Sequence, residues 1–592
     1  MQFSCLPAFV LLARTVVAEG GGEEGPSPAD LKNIQISKWL GWTWAAIVGF
    51  VLVYRLVLAS IQYGRTIACL GLEKQDFFKM PSQHYSMVKR YILDAPLFRK
   101  RHNREFQLSA AINVGTLPSR LQTMFLCGYI GMNIAFCVIS IDWSGSANEV
   151  ASEVRNRTGV LSVMNMLPLF LLAGRNNPLI SLLDISFDTY NMIHRWIGRI
   201  VVLEAFAHTL AWMVNKVNTA GWAVVAKSMA SSQLIMTGTI GTCAFLAILI
   251  QSPSVLRHAY YEVFLHVHIL LAVVAVVAVW IHLNTLPQQA ILLGAIATWI
   301  AERLMRVYLI VRNNVGSSGT KAEIEALPGD AIRITLRLAR PWKFRPGQHV
   351  YLYIPSIGWW TSHPFSLAWS DEERDVRDEK GGLPVDRNDV LALRKTTMSL
   401  IVRRRTGFTE QLWKRAENSP QGRFVTRAIV EGPYGNQNLG SYGTVMLFAA
   451  GVGITHQVPH VRQLVAAFAD GTCATRRVVL VWIIQSPEHL EWIRPWMTEI
   501  LGMEKRRDVL RILLFVTRPR STKEIHSPSS SVQMFPGKPD VSALVEQEQQ
   551  KQIGAMAVSV CGTGSLGDDV RRAVRVRCEK TEIDFVENAF SW

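Results

Sequence analysis

The chain has 592 residues, 49% of them hydrophobic and 18% charged, which is too apolar for an ordinary soluble protein of this size and too charged for one that is membrane throughout. Its formal charge of +16 is concentrated near apolar runs, as in the cytoplasmic loops of membrane proteins, and this excludes a nucleic-acid partner. The eight cysteines are scattered without a CxxC pair, which excludes a disulfide framework and a zinc site.

The first apolar run, in MQFSCLPAFVLLARTVVAEGGGEEG, is short and closes on small residues near Val16 and Ala18, so residues 1–18 read as a signal peptide. Seven longer runs follow, at about 40–61, 121–142, 159–174, 195–214, 233–251, 262–283 and 287–311, close to the roughly twenty residues that cross a hydrocarbon core. Residues 19–120 are expected to hold an extracellular amino terminus, the first span and a basic loop, and residues 121–312 a helical transmembrane domain. The loop carries Arg65, Lys74, Lys79, Lys89, Arg90, Arg99, Lys100, Arg101 and Arg104, whereas DWSGSANEVASEVRNRT is mostly acidic or neutral. The basic loop therefore belongs on the cytoplasmic side and the amino terminus outside. The sequon Asn156-Arg157-Thr158 falls on the outer side almost against the third span, and is expected to go unused.

Spans four and six each carry two histidines fourteen residues apart, His194 with His208 and His268 with His282. On a helix that separation advances about 21 Å and ends about 40° short of four full turns, so both rings of a pair point to nearly the same side. One crossing lies between these spans, so they run in the same direction, which sets His194 level with His268 and His208 level with His282. Two facing pairs at two depths suit two haem b groups, each held through both axial positions, with no position left open for oxygen. Polar groups inside spans are costly and usually functional. His258 and His266 lack the spacing, Arg195 and Arg199 sit at the same end as His194, and Glu204 has no evident role.

Beyond Arg312 no comparable run appears, and the rest reads as soluble. Residues 318–437 contain IRITLRL, HVYLYIP, MSLIVRR and RFVTRAIVEG, short segments that suggest a small antiparallel barrel. Residues 440–592 change to VMLFAA, GVGIT, the helical HVRQLVAAFA, then RVVLVWIIQ, RILLFVT and AVSVCGTG, a pattern that indicates a parallel doubly wound sheet.

PGQHVYLYIP followed by HPFSLAWS resembles the flavin site of the ferredoxin reductase superfamily, and with the paired spans the chain resembles the fungal ferric and cupric reductases, relatives of the NADPH oxidases. The resemblance implies an FAD-binding barrel and an NADPH-binding α/β domain. It carries flavin contacts onto His363, Pro364, Phe365, Ser366, Leu367 and Ala368, with Ser366 near flavin N5, and a pyrophosphate contact onto Arg403 with Gly407 and Thr409 shaping the turn. AAGVGIT implies a nucleotide turn at Gly451, Val452, Gly453, Ile454 and Thr455, where glycines let backbone amides approach phosphate. Cys561, Gly562 and Gly564 match the motif beside the nicotinamide, and Trp592 or Phe590 would cover the flavin.

The pattern departs from the family at IIQSPEH, where Gln485 stands in place of an arginine that could bind the 2′-phosphate; Arg476, Arg477 and Arg518 are substitutes to test. DEERDVRDEKGGLPVDRND, and SPSSSVQMFPGKPD with EQEQQKQ, read as structureless surface insertions. The expected activity is transfer of electrons from cytosolic NADPH through FAD and two haems to a ferric or cupric chelate outside, with an iron permease or oxidase as a partner at the plasma membrane. The alternative is an NADPH oxidase producing superoxide. Both histidine pairs here are spaced by fourteen, whereas the oxidases space one pair by thirteen, and the ending in Ser-Trp is reductase-like.

Overall fold

A computed structural model describes residues 27–101, 117–316, 319–359, 361–374, 394–519, 521, 525, 527 and 529–587. The expected signal peptide and the Phe590 and Trp592 positions lie outside these. The chain divides into two units, one made of the described parts of 1–57 and 122–305, the other of 58–103, 116–121 and 306–592.

Seven long helices stand where the apolar runs predict: α1 Pro28–Cys69, α2 Arg120–Val138, α3 Ala147–Ala173, α4 Phe187–Ser231, α5 Gln233–Gln251, α6 Tyr261–His282 and α7 Gln289–Asn314. Five of them, α1, α2, α4, α5 and α6, are long and apolar enough to cross a bilayer, and the chain is an integral membrane protein. The helices α3 and α7, which hold the expected third and seventh runs, are not among these five. The helix α3 starts twelve residues before the run 159–174, at a capping box in which Ser146 Oγ accepts from Glu149 N–H and Glu149 accepts from Ser146 N–H. The sequon is thereby inside a helix. Thr158 is buried, and Arg157 donates to Asn33 Oδ1 at 2.6 Å and to the Phe136 carbonyl at 2.8 Å. In α4 the helical path breaks at Gly221, whose φ of 81° is open to glycine without strain. Glu204, on α4, accepts from Asn165 Nδ2 at 3.0 Å, and Asn165 donates to Asn133 at 2.8 Å, so its carboxylate belongs to a polar network buried among α2, α3 and α4.

In the second unit, β1 Lys321–Leu327, β2 Ala331–Arg337, β5 Trp369–Arg374, β6 Arg394–Arg403 and β7 Arg423–Arg427 form an antiparallel sheet in the order β5-β6-β2-β1-β7. A second antiparallel sheet has the order β4-β3-β8, from β3 His349–Tyr353, β4 His363–Ser366 and β8 Ile429–Tyr434. Inward side chains of both, Ile324, Ile334, Val350, Leu352, Leu400 and Val430, share one core. The helix α8 Phe408–Glu417 packs on it through Leu412 and Ala416.

The remaining strands, β9 Thr444–Ala450, β10 Arg477–Ile484, β11 Leu510–Val516, β12 Val532–Pro536, β13 Met556–Cys561 and β14 Ile583–Glu587, make a parallel sheet ordered β12-β11-β10-β9-β13-β14. The order reverses between β9 and β13, the switch point where open α/β sheets bind ligands. Helices α9 Ile454–Ala469 and α10 Gly564–Arg577 follow these two strands. The segment expected to be a structureless insertion instead contributes β12 and a helix over Val541–Gln550. Val541 and Val545, four apart, are buried, and Glu548 is clasped by Arg477, so apolar spacing within a polar composition was sufficient for a helix.

The basic segment after α1 folds against this sheet. Lys89, with a side chain only 4% exposed, donates to Glu582 at 2.6 Å, to Asp584 at 2.9 Å and to the Ile583 carbonyl at 3.1 Å. Burial alone would lower its pKa, but the carboxylates of Asp584 and Glu582 outweigh that and hold it above the ordinary lysine value. Arg101 donates to Glu587 at 3.0 Å, Gln75 donates to the Ala474 carbonyl at 2.6 Å, and the Arg65 guanidinium lies 4.0 Å from the Tyr442 ring centroid. Positive charge read only as an orientation signal thus also docks the segment on β14.

Candidate functional site

Within the first unit the four histidines meet in two pairs. The His194 and His268 ring centroids are 6.3 Å apart with planes at 74°, and those of His208 and His282 are 6.0 Å apart at 84°. Two imidazoles bound to one metal through bonds of about 2 Å, with roughly 1.2 Å more from each nitrogen to its ring centre, have centroids about 6 Å apart. Both pairs fit that requirement. Nδ1 of His194 lies 2.9 Å from the Leu169 carbonyl, Nδ1 of His208 2.7 Å from the Arg155 carbonyl, and Nδ1 of His282 2.8 Å from the Leu234 carbonyl. A carbonyl can only accept, so each of these Nδ1 atoms carries the proton and each Nε2 keeps its lone pair for a metal. His268 Nδ1 is buried without a hydrogen-bond partner among the described residues.

Among the described residues no group of three or more His, Cys, Asp or Glu could hold a bare ion. Two facing imidazoles suffice only where the remaining ligands come with the metal, as in haem. His266 Nδ1 is instead bonded to the Glu262 carbonyl at 2.7 Å, one turn back on its own helix. Arg195 Nε donates to the Asn191 carbonyl at 3.3 Å, and the Arg199 guanidinium stands 4.6 Å from the Trp196 ring centroid.

The second unit collects the remaining expected residues at two places. HPFS forms β4, paired along β3 with His349 opposite Ser366 and Tyr351 opposite Pro364. The His363 ring packs 4.4 Å from that of Phe408, and Phe365 lies against the barrel core. Ser366 is half-buried at the end of β4. Leu367 and Ala368 are buried with their amides donating to the Gln348 and Ser399 carbonyls, so barrel packing takes both side chain and amide. Arg403 closes β6 opposite Ala331. Gly407 has φ 87°, an added Cβ there would meet nothing within 4 Å, and α8 begins at the next residue. Thr409 Oγ1 bonds both amide and carbonyl of Arg405, which fixes this turn. Arg404 lies 4.1 Å from the Trp413 ring centroid and pairs with Asp330 and Glu410, as a surface residue would.

At the switch point the turns after β9 and β13 touch. Gly453 is so close to the Cys561 carbonyl that a Cβ would lie 2.2 Å from its oxygen, while a Cβ on Gly562 would lie 2.7 Å from Ala450 Cβ. Gly451, at φ 55°, faces open space, the arrangement in which backbone amides can meet a phosphate. Val452 packs on the core, Ile454 is buried, and Thr455 Oγ1 donates to the Val452 carbonyl at 2.8 Å. Burial pushes the Cys561 thiol up to about 12, so it stays protonated and is no thiolate nucleophile. Gly564 opens α10.

Two expected substitutes for the missing arginine are at the wrong end of the sheet. Arg476 precedes β10 and Arg477 opens it: the first donates to the Leu72 and Cys473 carbonyls, the second to both Glu548 oxygens. Arg518 follows β11, at the ligand-facing end. The strand β8, which holds most of the sequence EGPYG from Glu431 to Gly435, has anchors that no motif showed. Asn313 donates to the Gly432 carbonyl at 2.6 Å, Asn314 to that of Val430 at 2.7 Å, and Arg306 Nε to the buried Glu431 at 2.9 Å.

Three family models match: a ferric reductase like transmembrane component over residues 158–279, an FAD-binding domain over 317–379 and a ferric reductase NAD binding domain over 442–575. The first includes His194, His208 and His268 and stops short of His282. Ferric/cupric reductase transmembrane component 2 of Saccharomyces cerevisiae is 28% identical over 83% of this chain and 64% of its own length. A probable ferric reductase transmembrane component of Candida albicans is 25% identical over 86% of this chain and 76% of its own. Ferric reductase transmembrane component 3 of S. cerevisiae is 24% identical over 93% and 77%. This chain thus spans just under two thirds of the first of these and about three quarters of the others. Among solved structures, an Amycolatopsis cytochrome P450 reductase aligns at 18% identity over 46% of this chain and 72% of that one, TM-score 0.30.

Proposed function

From the premise that this chain belongs to the ferric reductase family, we propose that it is a membrane metalloreductase that uses cytosolic NADPH to reduce a ferric or cupric chelate outside. The balanced reaction takes one hydride from NADPH and gives one electron to each of two metal ions, leaving NADP⁺ and a proton. FAD, when bound, would take up that one hydride with its two electrons and release them singly, and haem, when bound, would carry them singly.

The observation that carries this reading is the two facing imidazole pairs with their Nδ1 hydrogen bonds. His194 with His268 and His208 with His282 would hold two haems, and the carbonyl partners of His194, His208 and His282 fix the tautomer and ring orientation of those three. The barrel of residues 318–437 would hold FAD along HPFS, with Ser366 near N5, and Arg403 and the turn at Gly407 on the pyrophosphate. The domain of residues 440–592 would hold NADPH, with Gly451 at its phosphates and Cys561 and Gly562 bordering the nicotinamide. Arg518 is the candidate for the 2′-phosphate. All seven helices would span the plasma membrane, the amino terminus outside and the nucleotide domain in the cytosol, with an iron permease or oxidase taking the product.

The test is NADPH-driven reduction of a ferric chelate by membranes containing the protein, strictly without oxygen, with ferrous iron trapped by a coloured chelator. Full-rate reduction is the expected result. Reduction that needs oxygen and disappears with superoxide dismutase would replace this reading with an oxidase.

A further inference from the structure

The two histidine pairs are seated differently, and the helix registers show why. The helix α4 runs against α3 so that His194 meets the Leu169 carbonyl and His208 the Arg155 carbonyl, each fourteen residues from the next. The helix α6 runs against α5 so that His282 meets the Leu234 carbonyl. One turn beyond the carbonyl that receives His208 stands Gly159, and one turn beyond the carbonyl that receives His282 stands Gly238. An added Cβ at Gly159 would lie 2.6 Å from His208 Nδ1, and one at Gly238 would lie 2.8 Å from His282 Nδ1. Both distances are below any real Cβ contact, and the atom struck is the one that donates to the carbonyl.

The other pair has no such glycines. His194 reaches the Leu169 carbonyl at 2.9 Å with Ala173, the last residue of α3, one turn after it. Continuing the register from His282 and Leu234 brings His268 level with Ile248, whose carbonyl accepts from Ser252 Oγ at 2.5 Å, and Ser252 occupies the place that Gly238 holds on the other turn. Accordingly His268 Nδ1 has no partner among the described residues.

We propose that Gly159 and Gly238 are positioning residues for His208 and His282: each removes a side chain so that the imidazole can reach the carbonyl and turn its Nε2 toward the opposite histidine. This rests on the two-haem reading above. In a helix interior alanine is ordinarily better than glycine, so a defect on Gly→Ala here would come from the ring and not from the helix.

The experiment compares purified full-length protein with Gly159→Ala, Gly238→Ala and the control Gly198→Ala, whose added Cβ would meet only Leu169 Cδ1 at an ordinary 3.5 Å. The readouts are haem per chain, a redox titration followed by absorbance, and the low-temperature EPR signal of the ferric protein, which depends on the angle between ligand planes, here 84°. Expected is a wild type with two haem components, one of which is lost or shifted in potential and EPR in each of the 159 and 238 variants, the same one in both, while the other persists and reports an intact fold. Gly198→Ala should keep both. Two unshifted components in the glycine variants, or equal disturbance of both, would overturn the proposal while leaving the two-haem reading standing. A wild type without haem would remove that reading and this inference with it. Should one variant fail to accumulate, the other carries the same expectation on a separate helix.

Discussion

Replacing Arg306 by methionine tests the anchor of β8 at Glu431. Glu431 is 0% exposed, and its carboxylate accepts from Arg306 Nε at 2.9 Å, Tyr353 OH at 2.9 Å and Tyr434 OH at 2.8 Å. Methionine keeps most of the packing and removes the guanidinium charge paired with this carboxylate. The two phenols remain, worth about 1 kcal/mol each. Breaking a buried pair by removing one partner costs about 3–5 kcal/mol. Because the Arg306 side chain is 22% exposed, water offsets part of this and the lower end, about 3 kcal/mol, is expected. For a folded unit of this size that lowers the melting temperature by about 4 °C. The assay is thermal release of flavin fluorescence from the solubilised full chain, for Arg306→Met, Glu431→Gln and the double variant. The double variant should recover most of the loss, since glutamine needs no counter-charge. A single variant within about 1 kcal/mol of wild type, or a double variant no better than Arg306→Met, would refute the reasoning.

His208→Ala should remove one of two haem components and stop external chelate reduction while NADPH still bleaches the flavin; surviving surface activity would count against the assignment. Ser366→Ala removes one hydrogen bond of about 0.5–1.5 kcal/mol and should slow flavin reduction by about 2- to 10-fold with haem content unchanged, read by stopped-flow absorbance. Lys89→Met strands the carboxylates of Glu582 and Asp584 against β14 and should destabilise the second unit by about 3 kcal/mol, seen as a lower urea midpoint; no change would mean that the segment only rests there. Burial, with His349 nearby, pushes His456 down to about 4, and His460 is lowered too by burial and by His456. The unfolded chain takes up a proton below about pH 6.5 while folded His456 does not until about 4. Stability should therefore hold above pH 6.5 and fall through that window by about 1.4 kcal/mol per unit per histidine, and His456→Gln should flatten the slope of urea midpoint against pH.

What sequence alone determined were features whose partners are near in the chain or whose spacing obeys one helix. The fourteen-residue histidine spacing translates into aligned rings because both spans are regular helices of known pitch. GVGIT and CGTG were legible as turns because each puts glycines directly after an apolar strand, whereas HPFS was read through the family resemblance. Tertiary structure decided the rest. Arg476 and Arg477 stand near the nucleotide motif in the chain but at the opposite end of their strand, and nothing local says which end of a parallel sheet faces the ligand. The strand Val532–Pro536 and the helix Val541–Gln550 were hidden by polar composition, because their support comes from Leu513 and Phe515 on one side and Arg477 on the other. Lys89 meets Asp584 across 495 residues, and Gly159 makes room for a histidine forty-nine residues away. Such contacts follow from how helices and strands pack, a property of pairs of elements that neither periodicity nor composition of one of them contains.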